Sequence, residues 1–320
     1  MNDHHPETSA TRGRAVRFVE TFGGPDALRI TSVPVPRAGA GRIRVKVTAA
    51  GLNPMDWFMT SDAETAGRFG LSLPCGFGTD YAGVVDEVGE HVTGFAVGDR
   101  VFGGALSRTV ADHVVVDPAG AIAAGGSAHH TPDRLDDRTA ATLTIAGSTA
   151  AAALAVVRPG RGDTVLVGGA GGGVGVFVVQ LARLAGARVI GTGSEASAEA
   201  LRALGADAVT YGSGLADRVR AAAPDGVTAA LDLHGTETAL VARELGVPDA
   251  RITTIAARID GITAANGANA APGAIEEIAR LVADGRIRVP IAAAFPMEDI
   301  RAAVELQSSR HVHGKVVVDI

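Results

Sequence analysis

The chain has 320 residues, enough for about two domains. It is 47% hydrophobic but only 4% aromatic, so its core must be built from Val, Ala, Leu and Ile, which suits an α/β protein with buried parallel strands. A net charge of −6 implies no polyanion partner. The single cysteine, Cys75, excludes an internal disulfide and a Cys-rich metal centre.

The polar start, MNDHHPETSATRGR, has no signal-peptide core and reads as a loose tail. No apolar run reaches membrane-spanning length, so a soluble cytoplasmic protein is expected. Residues 14–125 read as β-rich, with strands at Ala15–Glu20, Ile43–Ala49, Tyr81–Val88, Arg100–Phe102 and Val110–Asp117. Short strands broken by glycine turns suggest a barrel-like or partly open β domain. His129-His130 reads as part of a polar loop. From Asp133 to Val157 the chain is alanine-rich and helical, until Pro159-Gly160 breaks it.

Strands and helices then alternate: Thr164–Val167, Val176–Ala185, Val189–Thr192, Ala196–Leu204, Ala208–Tyr211, Leu215–Ala223, Ala229–Leu233, Thr236–Leu245 and Arg251–Ile255. That order predicts a parallel, doubly wound sheet. Helices are expected at Ala274–Ala283 and Met297–Gln307, and a last strand at Lys315–Ile320.

The most informative stretch is TVLVGGAGGGVGVFVVQLARLAGARVIGTGS, from Thr164 to Ser194. Six glycines fall within the eight residues from Gly168 to Gly175. The strict GxGxxG spacing is absent, but Ala170-x-Gly172-x-x-Gly175 is present between a strand and a helix, the context that gives such a motif meaning. The turn lets a pyrophosphate approach the backbone over Gly172, Gly173 and Val174, where a helix N-terminus favours an anion. No Lys-Ser/Thr follows the glycines, so a Walker-type phosphate loop is excluded.

AAGLNPMD (Ala49–Asp56), GTDYAGVVDEVGEHVTGFAVGDRVFG (Gly78–Gly103), GDTVLVGGAGGGVG (Gly162–Gly175), LGADAVTY (Leu204–Tyr211) and RHVHGKVVV (Arg310–Val318) together resemble the medium-chain dehydrogenase/reductases, in the zinc-independent quinone oxidoreductase (zeta-crystallin-like) branch. The resemblance covers nearly all of residues 14–320. It implies an α/β fold with a β-rich GroES-like catalytic domain (1–131 and 268–320) and a Rossmann doubly wound parallel-sheet domain (132–267), with the active site in the cleft between them. It also implies a homodimer, as in many members.

Zinc-dependent relatives carry a Cys and a Gly-His-Glu triplet where this chain has Gly51-Leu-Asn53 and Gly78-Thr-Asp80. Neither stretch offers a thiolate or imidazole, His311-x-His313 reads as a surface pair, and a zinc site needs three or four ligands. No metal is expected. NAD-specific relatives place an Asp where Gly193-Ser194 stand here. A carboxylate there would repel a 2′-phosphate, so NADPH is the expected cofactor, although the usual Lys is missing.

The resemblance further places Tyr211 at the phosphate, where a plain strand-end aromatic is the other reading. It places Thr149 near the nicotinamide ribose, and Lys315 near the cofactor or as a solvated strand-end lysine. Asn53 would lie beside the nicotinamide and donate to the substrate oxygen, or serve only as a turn residue before Pro54. Asp56 would hold that loop. Asp80 would order the cleft or cap a turn. Trp57 and Phe58 would wall a flat substrate or simply pack. Phe58 stands near the place of a Tyr that enoyl reductases often carry, and it cannot donate a proton.

With no acid/base constellation, hydride transfer to quinones or α,β-unsaturated ketones is expected, with proximity and orientation as the main contributions and solvent supplying the proton. The alternatives are an enoyl reductase tailoring a secondary metabolite, and a non-catalytic NADPH-binding or structural protein. The absence of a basic stripe argues against nucleic acid.

Overall fold

The computed structural model describes residues 11–320. The expected tail falls on residues 1–10, outside the described residues, except for its last part, which is already strand from Arg12.

The chain first forms β1 (Arg12–Phe18), β2 (Leu28–Pro34), β3 (Ile43–Leu52), the short helices α1 (Pro54–Phe58) and α2 (Ala63–Arg68), then β4 (Cys75–Gly76), β5 (Asp80–Val88), β6 (Arg100–Gly104), β7 (His113–Val116) and β8 (Ser127–His130). β1 pairs antiparallel with β2 and β4 in a three-stranded sheet. β3 is the hub of a larger sheet, pairing with β5 and β7. Its alternate residues Ile43, Val45 and Val47 are buried with Tyr81, Val85, Val101 and Val114, as period-2 strands over one core require.

The chain continues through α3 (Asp137–Ala140), α4 (Thr144–Val157), β9 (Thr164–Gly168), α5 (Gly175–Leu184), β10 (Arg188–Gly193), α6 (Ala198–Ala203), β11 (Asp207–Thr210), α7 (Leu215–Ala222), β12 (Ala229–Asp232), α8 (Glu237–Glu244), β13 (Ile252–Thr254) and β14 (Thr263–Ala264). These strands form a parallel sheet in the order β11-β10-β9-β12-β13-β14. Its central strands are apolar on both faces. Val165, Val167, Val189 and Leu231 pack on one side with Val176 and Val179 of α5. Leu166, Ile190 and Ala230 pack on the other with Leu215 and Val219 of α7. Helices on both faces explain the unbroken apolar runs.

Last come α9 (Ala274–Ala283), β15 (Ile291–Pro296), α10 (Ile300–Ser308) and β16 (Lys315–Asp319). Ile275 and Ile278 of α9 join the core of the parallel sheet. β16 pairs with β3, Val317 opposite Gly51. The C-terminal segment therefore crosses from one sheet to the other, and β16 brings Lys315 to the boundary between them.

Four local expectations are corrected. The helix expected from Asp133 to Val157 is two helices, because Asp136 caps α3 at Thr139 N–H and the chain turns again before Thr144. The helix expected at Met297 begins as a 3₁₀ turn, Met297–Asp299, ahead of α10. His129-His130 is not loop but strand, paired across from Phe102 and Val101. His129 tilts onto the Phe102 ring and meets Glu276 of α9 at 2.8 Å. His313 is half-buried against the glycine turn, so His311 and His313 are not a surface pair.

Candidate functional site

The glycine turn joins β9 to α5. Gly169 takes a left-handed φ of 68°, and Gly172 N–H donates to Gly169 O at 3.0 Å. Val174 is the N-cap of α5, which begins at Gly175, one residue before the expected start. The glycines do different work. A Cβ on Gly175 would lie 2.3 Å from Gly169 O, so helix and strand could not close. A Cβ on Gly172 would have only Gly169 O at 3.4 Å, an ordinary contact. Ala170, buried in the first motif position, packs its methyl against Gly191 of β10. Gly172, Gly173 and Val174 remain partly open, and the α5 N-terminus offers the unpaired N–H groups that an anion needs.

A second cluster lies where β16 crosses this turn. The Lys315 side chain runs alongside Gly173, whose Cβ would be 3.0 Å from Lys315 Cδ. Its ammonium donates to Asn53 Oδ1 at 2.6 Å and stands 3.8 Å from Asp80 Oδ2. Asn53 Nδ2 in turn donates to Asp80 Oδ2 at 2.9 Å. The other Asp80 oxygen accepts Ile145 N–H at 3.0 Å, in the first turn of α4, where a carboxylate is favoured by the helix dipole. Asp56 accepts from Asn53 N–H at 2.8 Å and from the Thr79 hydroxyl at 2.6 Å. Asn53, Asp56, Thr79, Asp80 and Lys315 are all buried.

Burial disfavours charge, and each group is moved accordingly. Asp56 is pushed up to about 7, because burial outweighs its hydrogen bonds from Thr79 and Asn53. Asp80 is pushed up to about 6 by burial, offset by the Lys315 ammonium, the Asn53 amide and Ile145 N–H. Burial lowers the Lys315 pKa below the ordinary lysine range, opposed by Asp80 and Asp56. The solvated reading of Lys315 is therefore overturned, and the capped-turn reading of Asp80 gives way to a carboxylate that caps a helix and faces an ammonium.

The remaining candidates are less tightly held. Thr149 donates its hydroxyl to Ile145 O at 2.7 Å within α4. Trp57 is half-buried, with Nε1 donating to Gln307 Oε1 and the Arg310 guanidinium 5.5 Å from its ring. Phe58 is 52% exposed and meets Phe69 edge-on at 6.3 Å, so it is not core. Ser194 is exposed at the end of β10. It borders a groove of about 440 Å³ shared with Arg202 and Arg218. Tyr211 is 55% exposed. Arg218 is occupied by the carbonyls of Thr210, Tyr211, Gly212 and Ser213. Sequence reasoning missed Thr79, Ile145 and His313, whose roles arise from backbone position and chain crossing.

Two family models match this chain: the alcohol dehydrogenase GroES-like domain over residues 39–131 and the zinc-binding dehydrogenase model over residues 204–318. The chain belongs to the medium-chain dehydrogenase/reductase superfamily. It resembles curated quinone oxidoreductases. It is 38% identical to that of Rattus norvegicus over 185 residues, which is 57% of this chain and 53% of the relative. The match thus spans about half the length of such relatives. Over nearly the whole chain the fold matches the quinone oxidoreductase of Coxiella burnetii, with a TM-score of 0.86 and 27% identity, covering 97% of this chain and 100% of that one. CurK enoyl reductase shares the fold, with a TM-score of 0.83 at 24% identity over 96% of this chain and 99% of that chain.

Despite the second model's description, the residues here do not fit a zinc ion. The two stretches that resemble metal-ligand positions supply the Asn53 amide and the Asp80 carboxylate, and both face an ammonium that a divalent cation would repel. Among the described residues, no three His, Cys, Asp or Glu side chains are grouped to hold a metal. Among the same residues, no helix is long and apolar enough to cross a membrane.

Proposed function

We propose that this protein is a zinc-independent, NADPH-dependent oxidoreductase that transfers hydride to quinones or α,β-unsaturated ketones. The observation that carries the reading is the open α5 N-terminus at Gly172–Val174 beside the buried Asn53–Lys315–Asp80 cluster. The glycine turn fits a pyrophosphate, because no side chain stands over Gly172 at the start of the helix. Ala170, Gly172, Gly173, Val174 and Gly175 would hold it. Thr149 and Asn53 would lie along the nicotinamide end, and Ser194 and Tyr211 along the adenosine end, where the missing carboxylate favours a 2′-phosphate.

The bound dihydronicotinamide would supply a hydride. The protein orients the acceptor and limits water. Phe58 and Trp57, on the same short helix α1, would give an apolar ledge for the acceptor, and Asp56 fixes the α1 loop through Thr79 and the Asn53 backbone. A homodimer and a cytoplasmic location belong to the same proposal. The enoyl reductase alternative is supported by the shared fold with CurK; exposed Phe58 supplies no proton, so that reading needs another donor. Calorimetric titration with NADPH and NADH, followed by turnover on a panel of quinones and enones, tests the assignment. NADPH binding with quinone turnover supports it; turnover confined to thioester-type enones favours the alternative, and binding without any turnover favours a non-catalytic role.

A further inference from the structure

We propose that the Lys315 ammonium is the cationic centre of the reaction site beside the glycine turn: it stabilises the oxyanion formed on the acceptor and hands it a proton. The inference rests on the reductase reading above and replaces protonation by solvent with protonation by a named residue.

Three observations carry it. Lys315 Nζ stands between the two stretches that correspond to metal-ligand positions in zinc-dependent relatives, touching Asn53 of one and facing Asp80 of the other. The ammonium has three N–H bonds; Asn53 Oδ1 takes one, and Asp80 at 3.8 Å attracts it without a close contact. The Lys315 stem lies on Gly173, so the charge is anchored to the turn proposed to bind the cofactor. A buried ammonium whose counter-charge sits on a neighbouring carboxylate is pre-oriented, and such groups are worth most where water is excluded.

Addition of hydride to the acceptor carbon moves a π pair onto the carbonyl oxygen. The Lys315 N–H bond breaks as the O–H bond forms, leaving a neutral amine and an enol; where the acceptor is a quinone, that enol loses a ring C–H proton and gains one on the second oxygen through solvent to become the hydroquinone. The amine then regains a proton from solvent. The titratable groups acting on Lys315 are Asp80 on β5 and Asp56 on α1, both of which favour its charged form, while burial opposes it.

The test uses the whole enzyme with NADP+ or NADPH. Binding of 4-nitrophenol to the NADP+ form serves as an oxyanion probe, because its colour reports ionisation. Lys315→Met should weaken phenolate binding by about tenfold or more and slow quinone turnover by about 100-fold, the scale of losing one oxyanion donor. NADPH affinity should stay within about threefold on the same argument, because the interaction acts on the developing anion. Lys315→Arg keeps charge but cannot release a proton. It should retain phenolate binding, remain slow, and lose the alkaline fall in turnover expected of the wild type. Should Lys315→Met fail to fold, Asp80→Asn/Lys315→Met removes both charges and should show the same losses.

Unchanged turnover in these variants, or a loss of NADPH affinity that accounts for the whole loss of turnover, would overturn the proposal. The latter result would make Lys315 a cofactor clamp. Failure of the wild type to bind either dinucleotide would instead sink the reductase reading itself, and this inference with it.

Discussion

Lys315 Nζ and Asn53 Oδ1 lie 2.6 Å apart although 262 residues separate them. The contact joins the end of the chain to the loop after β3, and it turns the Asn53 amide away from the role expected of it. The amide links an ammonium to a carboxylate inside the protein rather than standing free for the acceptor. Asn53→Ala should let Lys315 and Asp80 approach directly and raise the Lys315 pKa. Turnover should fall about tenfold, consistent with about 1–1.5 kcal/mol for one hydrogen bond, and the alkaline limb should move to higher pH. A pH–rate profile of the variant checks both; an unmoved limb would mean that Asn53 does not control Lys315.

Gly172 and Gly175 should separate binding from folding. Gly172→Val places its side chain in open space over the turn. It should keep the wild-type melting temperature and lose NADPH binding. Gly175→Ala drives a methyl into Gly169 O and Ala170 O and should destabilise the protein, by about 1–3 kcal/mol as for other overpacked sites. Thermal melts and NADPH titration of the pair provide the check, and normal NADPH affinity in Gly172→Val would remove the pyrophosphate assignment.

The Asp56 pKa is raised in the folded protein, from its ordinary 3.8 to about 7. Its contribution is fully present below the unfolded pKa and is lost as pH rises through the folded one. Stability should therefore decline between about pH 4 and 7 from this group. Asp56→Asn keeps an acceptor for Asn53 N–H without the charge. It should melt about 2–4 °C above the wild type at pH 8, the shift expected for about 1 kcal/mol, with the advantage vanishing near pH 4. Melting curves across that range decide it; a constant offset would show that Asp56 ionisation is not the cause.

What was legible in the sequence was the periodic part. The apolar runs at Thr164–Val167 and Val189–Thr192 bracket the glycine turn closely, because buried parallel strands need unbroken β-branched residues on both faces. β2 and β15 were not legible. Apart from Leu28, none of their residues is more than half-buried, so no apolar face marks either strand. β8 was hidden because His129 and His130 look polar, although the His129 ring tilts onto Phe102 and the His130 ring stacks on Phe95. The site was readable as a set of residues but not as an arrangement. Nothing local to GKVVV tells that Lys315 is buried; that follows from β16 pairing with β3 and crossing the turn. Ile145 enters only through a backbone N–H, which no side-chain motif records.

Cofactor choice should rest on Ser194. Ser194→Asp places a carboxylate where a 2′-phosphate is expected and should lower the NADPH-to-NADH ratio of kcat/KM by about tenfold or more, the scale of about 1.5–3 kcal/mol for one charge-assisted hydrogen bond lost. The wild-type preference itself should be modest, about ten- to hundredfold, because one or two such bonds carry it and Arg218 is already held by backbone carbonyls. An unchanged ratio in the variant would place the phosphate elsewhere.

The central claim is metal-free hydride transfer from NADPH. It is tested most directly by turning over an enone with NADPH deuterated at the transferable C4 position, after dialysis against a strong chelator. Deuterium on the β-carbon of the product, a primary isotope effect on turnover, and a rate unchanged by the chelator are expected. Product without deuterium, or activity lost to the chelator and restored by zinc, would contradict it.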